Sequence, residues 1–274
     1  GAERAEYEGV HRIINLTKMG GGGALGHEWW HAFDNLMAEA ESGKPSGAED
    51  YASENPNILP PGELRDAING LRSAMLDGTH RATENFTYTA RDFDVAKHNI
   101  SGTPRTEVAK AIQGAPDAEA AVAAVDKFFS GPREPRNKKQ QANYSAWRVL
   151  AVAWHDGKPS GGEVGVKSGR PMSSFALEAM KLDGGDFSKY WSSRSEMSAR
   201  AFQSWVEDRL AAKGQRNDYL SAFADNKYYD DPLLGPQFPY PEGEERERIN
   251  AAFDRVFDVV RKRGVLAKAF IGVL

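Results

Sequence analysis

Leu25-Gly26-His27-Glu28-Trp29-Trp30-His31-Ala32-Phe33-Asp34 is the stretch that decides the reading of this 274-residue chain. On a helix, residues four apart lie about 40° apart around the axis, so His27 and His31 stack on one face and can share a metal ion. Glu28 is too offset to join both imidazoles as a ligand, yet it can hold a water beside the metal and take its proton. The pattern His-Glu-x-x-His on a helix therefore points to zinc-assisted hydrolysis. Asp34, three residues past His31, is spaced to accept the distal N–H of a ligating imidazole and fix its orientation. The competing reading is an ordinary amphipathic helix, with Leu25, Trp29, Ala32, Phe33 and Leu36 as its buried stripe and the histidines on a wet face.

Composition limits the setting. With 40% hydrophobic residues the chain can bury a sizeable core, as one large domain or two small ones. A net charge of −4 gives no electrostatic case for a nucleic-acid partner, and no apolar run approaches the roughly 20 residues of a membrane span. A soluble protein without membrane or nucleic-acid partners is expected. The absence of cysteine removes disulfides, thiolate nucleophiles and Cys-type zinc sites, so any metal falls to His and carboxylate ligands. It also fits a reducing compartment. Gly1-Ala2 directly precedes charged residues, without a secretory signal, and reads as the start of a cut domain or a processed chain.

Along the chain, residues 3–8 and 12–19 read as extended segments, the second apolar and β-rich at Ile13-Ile14-Asn15-Leu16-Thr17. Gly20 to Gly23 then form a connection to the motif helix near Ala24. No Gly-Lys-Ser/Thr follows these glycines, which argues against a phosphate loop. Residues 43–61 are rich in Gly, Pro, Ser and Asn and read as a loop. Helical spacing is predicted over 63–75, 81–98, 106–113 and 117–129, then, after a basic proline-broken loop, over 143–154 and 172–182. Gly161 to Val166 reads as a small hairpin or flap.

A catalytic zinc needs three protein ligands and one open position. On a predicted helix over 193–210, Glu196 is the candidate third ligand, with Met197, Ala201, Phe202, Trp205 and Val206 as the core-facing stripe. Ser193-x-x-Glu196 is also a capping-box pattern, in which Glu196 would only satisfy amides at a helix start. Local sequence leaves both readings open.

Four blocks together carry a resemblance: Ile13-Ile-Asn-Leu-Thr-Lys-Met19, Leu25 to Asn35, Tyr190-Trp-Ser with Glu196-Met-Ser-Ala-Arg-Ala-Phe202, and Asn217-Asp-Tyr-Leu220 with Pro239-Tyr-Pro-x-Gly-Glu-Glu-Arg246. They resemble the first of the large polyvalent protein-associated domains, found in bacteriophage and mobile-element proteins. The likeness runs from residue 3 to about 262 and is weak between 40 and 170. That family looks like a gluzincin metallopeptidase, which implies one Zn2+ held by His27, His31 and Glu196, with Glu28 as general base. Glu196-x-x-Ala-x-Ala-Phe202 is also similar to the catalytic domain of anthrax lethal factor-like toxins. There a tyrosine shortly before the ligand glutamate faces the site, and Tyr190 is the nearest equivalent by position; Tyr229 and Tyr240 are further candidates for an oxyanion donor. Asp34 and Met37 stand where a metzincin needs Gly and His, which excludes that class. Arg200 replaces the acidic residue of thermolysin-like sites.

The implied fold is α+β and predominantly helical: a zincin-like core of a small sheet with an edge strand, the motif helix and a glutamate-bearing helix. About 164 residues separate His31 from Glu196, so residues 41–185 are expected to form a mainly helical insertion within a single domain over 1–274. Zincins place an edge strand before the metal helix, and Asn15, Leu16 and Thr17 would pair with an extended peptide there. The resemblance implies a peptide or protein substrate, membership of a larger phage polypeptide, and a location in the bacterial cytoplasm or in the virion. The alternative is a catalytically silent zincin-like module with a structural or binding role in such a protein.

Overall fold

A computed structural model of the chain describes residues 5–16, 23–130, 138–185, 189–233 and 235–271. In chain order its elements are β1 (Ala5–Glu8), β2 (Ile13–Leu16), α1 (Leu25–Ser42), α2 (Glu63–Leu76), β3 (His80–Thr89), α3 (Ala90–Ile100), α4 (Glu107–Gly114), α5 (Ala118–Phe129) and α6 (Lys138–Asp156). There follow β4 (Gly161–Met172), α7 (Ser174–Leu182), α8 (Arg194–Ala211), β5 (Asp230–Asp231), β6 (Gly235–Pro236), α9 (Gly243–Arg263) and α10 (Val265–Ile271). The fold is thus mostly helical with small sheets, of the α+β class the sequence predicts. Two compact units divide the chain, one built from residues 1–80 and 172–274, the other from 81–171.

The first unit is organised around α1. Every residue from Trp30 to Ala38 is buried, His31, Asp34 and Asn35 included. An amphipathic surface helix would bury one stripe; α1 is enclosed on all sides and is a core helix. Trp30 meets Phe253 of α9 edge-on at 5.0 Å and Phe202 of α8 at 5.1 Å, and its indole N–H donates to Ser198 Oγ at 2.8 Å. Burying each such aromatic away from water stabilises the unit by about 2–3 kcal/mol. Leu64, Ile68, Leu71 and Met75 line the inner face of α2, which packs on α9 through Ile249, Phe253, Val256 and Val260. β1 and β2 pair antiparallel, Glu6 opposite Asn15 and Tyr7 opposite Ile14, and the buried Tyr7 donates to Asn35 Oδ1 at 3.2 Å.

The second unit has its own core of Phe86, Tyr88, Phe93, Ile100, Ile112, Val122, Val125 and Val152 among others. The helix predicted over 81–98 is corrected here. Its first half is the strand β3, paired with β4, and α3 begins only at Ala90 behind a reciprocal cap between Thr89 and Asp92. In β3, Phe86 and Tyr88 point inward while Thr87 and Thr89 point out, a period of two that suits these aromatic and β-branched residues. Gly161 to Val166, read as a small hairpin or flap, is the start of the long strand β4.

Of the stretch 41–185 assigned to an insertion, residues 81–171 form the separate unit, whereas α2 and α7 supply core residues to the first. The chain is clamped where it leaves and returns. Ser173 N donates to Leu76 O at 2.9 Å, and a Cβ on Gly78 would come within 2.5 Å of the Met172 carbonyl oxygen. Among the described residues no helix is long and apolar enough to cross a membrane.

Candidate metal centre

The first turn of α1 starts where the chain is pinned. Gly26 N donates to Leu220 O at 2.8 Å, and a Cβ at Gly26 would lie 2.8 Å from that same oxygen, so the residue before His27 has to be glycine. One turn apart on α1, His27 Nε2 and His31 Nε2 are 3.1 Å from each other. Glu196 of α8 closes the triangle, its Oε2 3.3 Å from His27 Nε2 and its Oε1 3.2 Å from His31 Nε2. All three offer a ligand atom within 4.8 Å of one another. Among the described residues, Glu196 Oε2 and His31 Nδ1 are buried without a hydrogen-bond partner. Two imidazole nitrogens crowded around a carboxylate with one buried oxygen unsatisfied are a donor set that could hold a metal ion, and these residues fit a single divalent one.

The charges agree with this grouping. Burial alone would raise the Glu196 carboxyl, but the two imidazoles hold it far below the usual carboxylate range. Burial would lower His31, and Glu196, Glu28 and Asp34 together raise it. Glu28 is buried beside His27, and its charge also reaches Tyr190.

Glu196 satisfies half of the capping box. Ser193 Oγ accepts from Glu196 N at 3.3 Å, as an N-cap should, but the Glu196 carboxylate turns to the histidines. Glu54, from the loop after α1, takes over the remaining amides, its Oε2 accepting from Arg194 N at 2.7 Å and Ser195 N at 3.2 Å.

That loop also claims Asp34. The expected hydrogen bond from an imidazole to Asp34 is not formed among the described residues. Its fully buried carboxylate accepts instead from Ser53 N at 2.9 Å and from Ser53 Oγ. Burial raises its pKa to about 6 against the lowering effect of Ser53. Asn35 fastens the same loop, its Nδ2 donating to Gly47 O at 2.8 Å and Asp50 O at 3.2 Å. So held, Tyr51 lays its ring edge-on against His31 with centroids 5.6 Å apart. Glu54 and Tyr51 were not readable as site residues, since a Gly/Pro/Ser/Asn-rich loop carries no periodicity to flag them.

Tyr190 stands at the rim, 62% exposed. Its hydroxyl is pushed up to about 12 by desolvation and by the charge of Glu196. The segment behind it is tied down from both sides. Asp183 accepts from Trp191 N at 2.9 Å and Ser192 N at 2.7 Å, and the buried Arg200 donates to Trp191 O at 2.6 Å and Pro239 O at 2.8 Å while lying over the Trp191 ring. The other two tyrosines are not brought to the cluster. Tyr240 is buried and donates to Gln203 Oε1 at 3.0 Å, its hydroxyl 3.2 Å from that of Tyr229, and Gln203 in turn holds Gly23 O and Ala222 O. They brace the approach to α1.

Asn15 is exposed in β2, which among the described residues has a strand neighbour on one edge only. Leu16 lies in the same strand, and Thr17 falls outside the described residues.

No curated protein and no solved structure matches the chain. Residues 182–264 match the family described as large polyvalent protein-associated domain 1, so the stretch that carries Tyr190, Glu196 and α9 is similar to that family.

Proposed function

We propose that this chain is a zinc-dependent peptidase domain of a phage-associated protein, acting on a peptide or protein substrate. The observation that carries the reading is the meeting of His27, His31 and the Glu196 carboxylate from two helices, with Glu28 buried beside them. His27, His31 and Glu196 would hold one Zn2+, which supplies Lewis-acid activation of a water and of a substrate carbonyl. Glu28 takes the proton of the attacking water and passes it to the leaving amine. Tyr190 donates its hydroxyl hydrogen to the carbonyl oxygen as charge develops there. The edge of β2 that has no strand neighbour among the described residues aligns an extended peptide by main-chain hydrogen bonds.

Purified chain should carry about one zinc, lost in His27→Ala. Glu28→Gln should keep the metal and lose cleavage of an unbiased peptide library. A wild type that binds no zinc and cuts no peptide refutes the reading. A wild type that holds zinc but is as inert as Glu28→Gln would be a structural module of its parent protein.

A further inference from the structure

We infer that Glu54 is a positioning residue which, through the loop anchored on Asp34, sets the separation of His31 and Glu196 and thereby the metal affinity of the centre. The inference rests on the metal-binding half of the proposed function. His27 and His31 sit on one helix, so their spacing is fixed by the helix itself. The third ligand comes from another helix, and from its first turn, where backbone amides lack intrahelical partners and helices fray. Trp30 of α1 ties α8 on the far side of Glu196, at Ser198, and the residues before Glu196 need a tie of their own.

Glu54 supplies it from four residues of chain. At one end of this run Tyr51 packs on His31, and Ser53 is locked to the Asp34 carboxylate one turn after His31 by its amide and hydroxyl. Ala52 N adds a bond to Asp34 O at 3.4 Å. At the other end the Glu54 carboxylate takes the amides of Arg194 and Ser195, immediately before Glu196. A carboxylate there is also favoured by the helix dipole. The amide that a capping-box Glu196 would take, Ser193 N, already donates to Lys189 O at 3.0 Å, and Glu54 holds the next two, so the Glu196 carboxylate faces the imidazoles. Asp34 then serves the site mechanically, by way of Ser53, rather than as the acceptor for an imidazole N–H.

The test measures Zn2+ affinity of the full chain by competition with a chromogenic chelator, alongside the melting temperature. Glu54→Ala should weaken zinc binding about tenfold or more, the range found for residues that orient metal ligands. Glu54→Gln, which keeps an acceptor for the two amides, should fall between it and wild type. Ser173→Ala serves as the control, because it removes the buried N-cap of α7 in the same unit and should lower stability without moving zinc affinity. Wild-type affinity in Glu54→Ala overturns the inference, and so does an equal loss in Ser173→Ala, since affinity would then only follow stability. A wild type that binds no zinc overturns the inference and the peptidase reading together. Tight zinc binding that weakens in Glu54→Ala upholds the brace even if no peptide is cut.

Discussion

Ser193-x-x-Glu196 issues two instructions to one carboxylate, to cap its own helix or to reach a metal, and the residues nearby cannot rank them. What ranks them lies outside the pair: the Ser193 amide donates to Lys189 O at 3.0 Å, and Glu54, 140 positions before the amide of Arg194 it accepts from, holds the turn that follows. Asp34 is a similar case: its spacing from His31 suits an imidazole partner, but Ser53, nineteen positions on, folds back and satisfies it first. The approach of His27 to His31 was legible because a helix converts spacing into geometry; contacts across a loop have no such conversion. Tyr190 was placed by resemblance rather than by spacing, and its role is separable by mutation. Tyr190→Phe keeps the ring and should lower kcat about 100-fold with KM and zinc content unchanged, the usual cost of losing one oxyanion donor. Steady-state kinetics on a cleaved peptide reads this, and an unchanged kcat would remove the hydroxyl from the chemistry. Tyr240→Phe should act on stability instead, since its hydroxyl is committed to Gln203 and Tyr229.

Among elements, α1, α2 and α8 were readable from apolar spacing, and β3 was not, because Arg81 to His98 mixes a strand and a helix without a Gly or Pro between them. The junction is marked only by Thr89 and Asp92, a capping pair that the periodicity runs straight through. α9 went unassigned although Ile249, Phe253, Val256 and Val260 repeat at helical spacing, because its dense charges at Glu244 to Arg248 mask that stripe. Residues 189–193, just before α8, are irregular and are held through Asp183 at Trp191 and Ser192. Burial would raise the Asp183 carboxyl, but the donors of Ser192 and Trp191 hold it below its usual range. A carboxylate whose folded pKa is depressed contributes stability above its unfolded pKa and loses it as pH falls through the folded value. Asp183→Asn should therefore cost about 1–2 kcal/mol at neutral pH, with the gap to wild type closing below about pH 4. Thermal melts followed by circular dichroism from pH 3 to 7 check this; a gap independent of pH would mean that the carboxylate charge does not hold the segment.

At the scale of the whole chain, the sequence reading set an insertion at 41–185, wider than the separate unit 81–171, since the apolar faces of α2 and α7 look the same whichever core they join. The clamp at Leu76, Gly78, Met172 and Ser173 sets those limits within the first unit. His27, Glu28, His31, Glu54, Tyr190 and Glu196 all lie outside residues 81–171, and the two hydrophobic cores share no residue. Replacing Arg81 to Pro171 by a short glycine-serine link should therefore leave a chain that melts cooperatively and binds about one zinc. The link asks little of the backbone, because its ends are already held together and a shorter closed loop costs less entropy. Metal titration and a thermal melt of the excised chain test this. Loss of both the transition and the metal would mean that the first unit cannot fold without the second. Retained zinc with lost cleavage would assign residues 81–171 to substrate recognition, and so divide the labour of the proposed peptidase between a unit that does the chemistry and one that chooses what enters it.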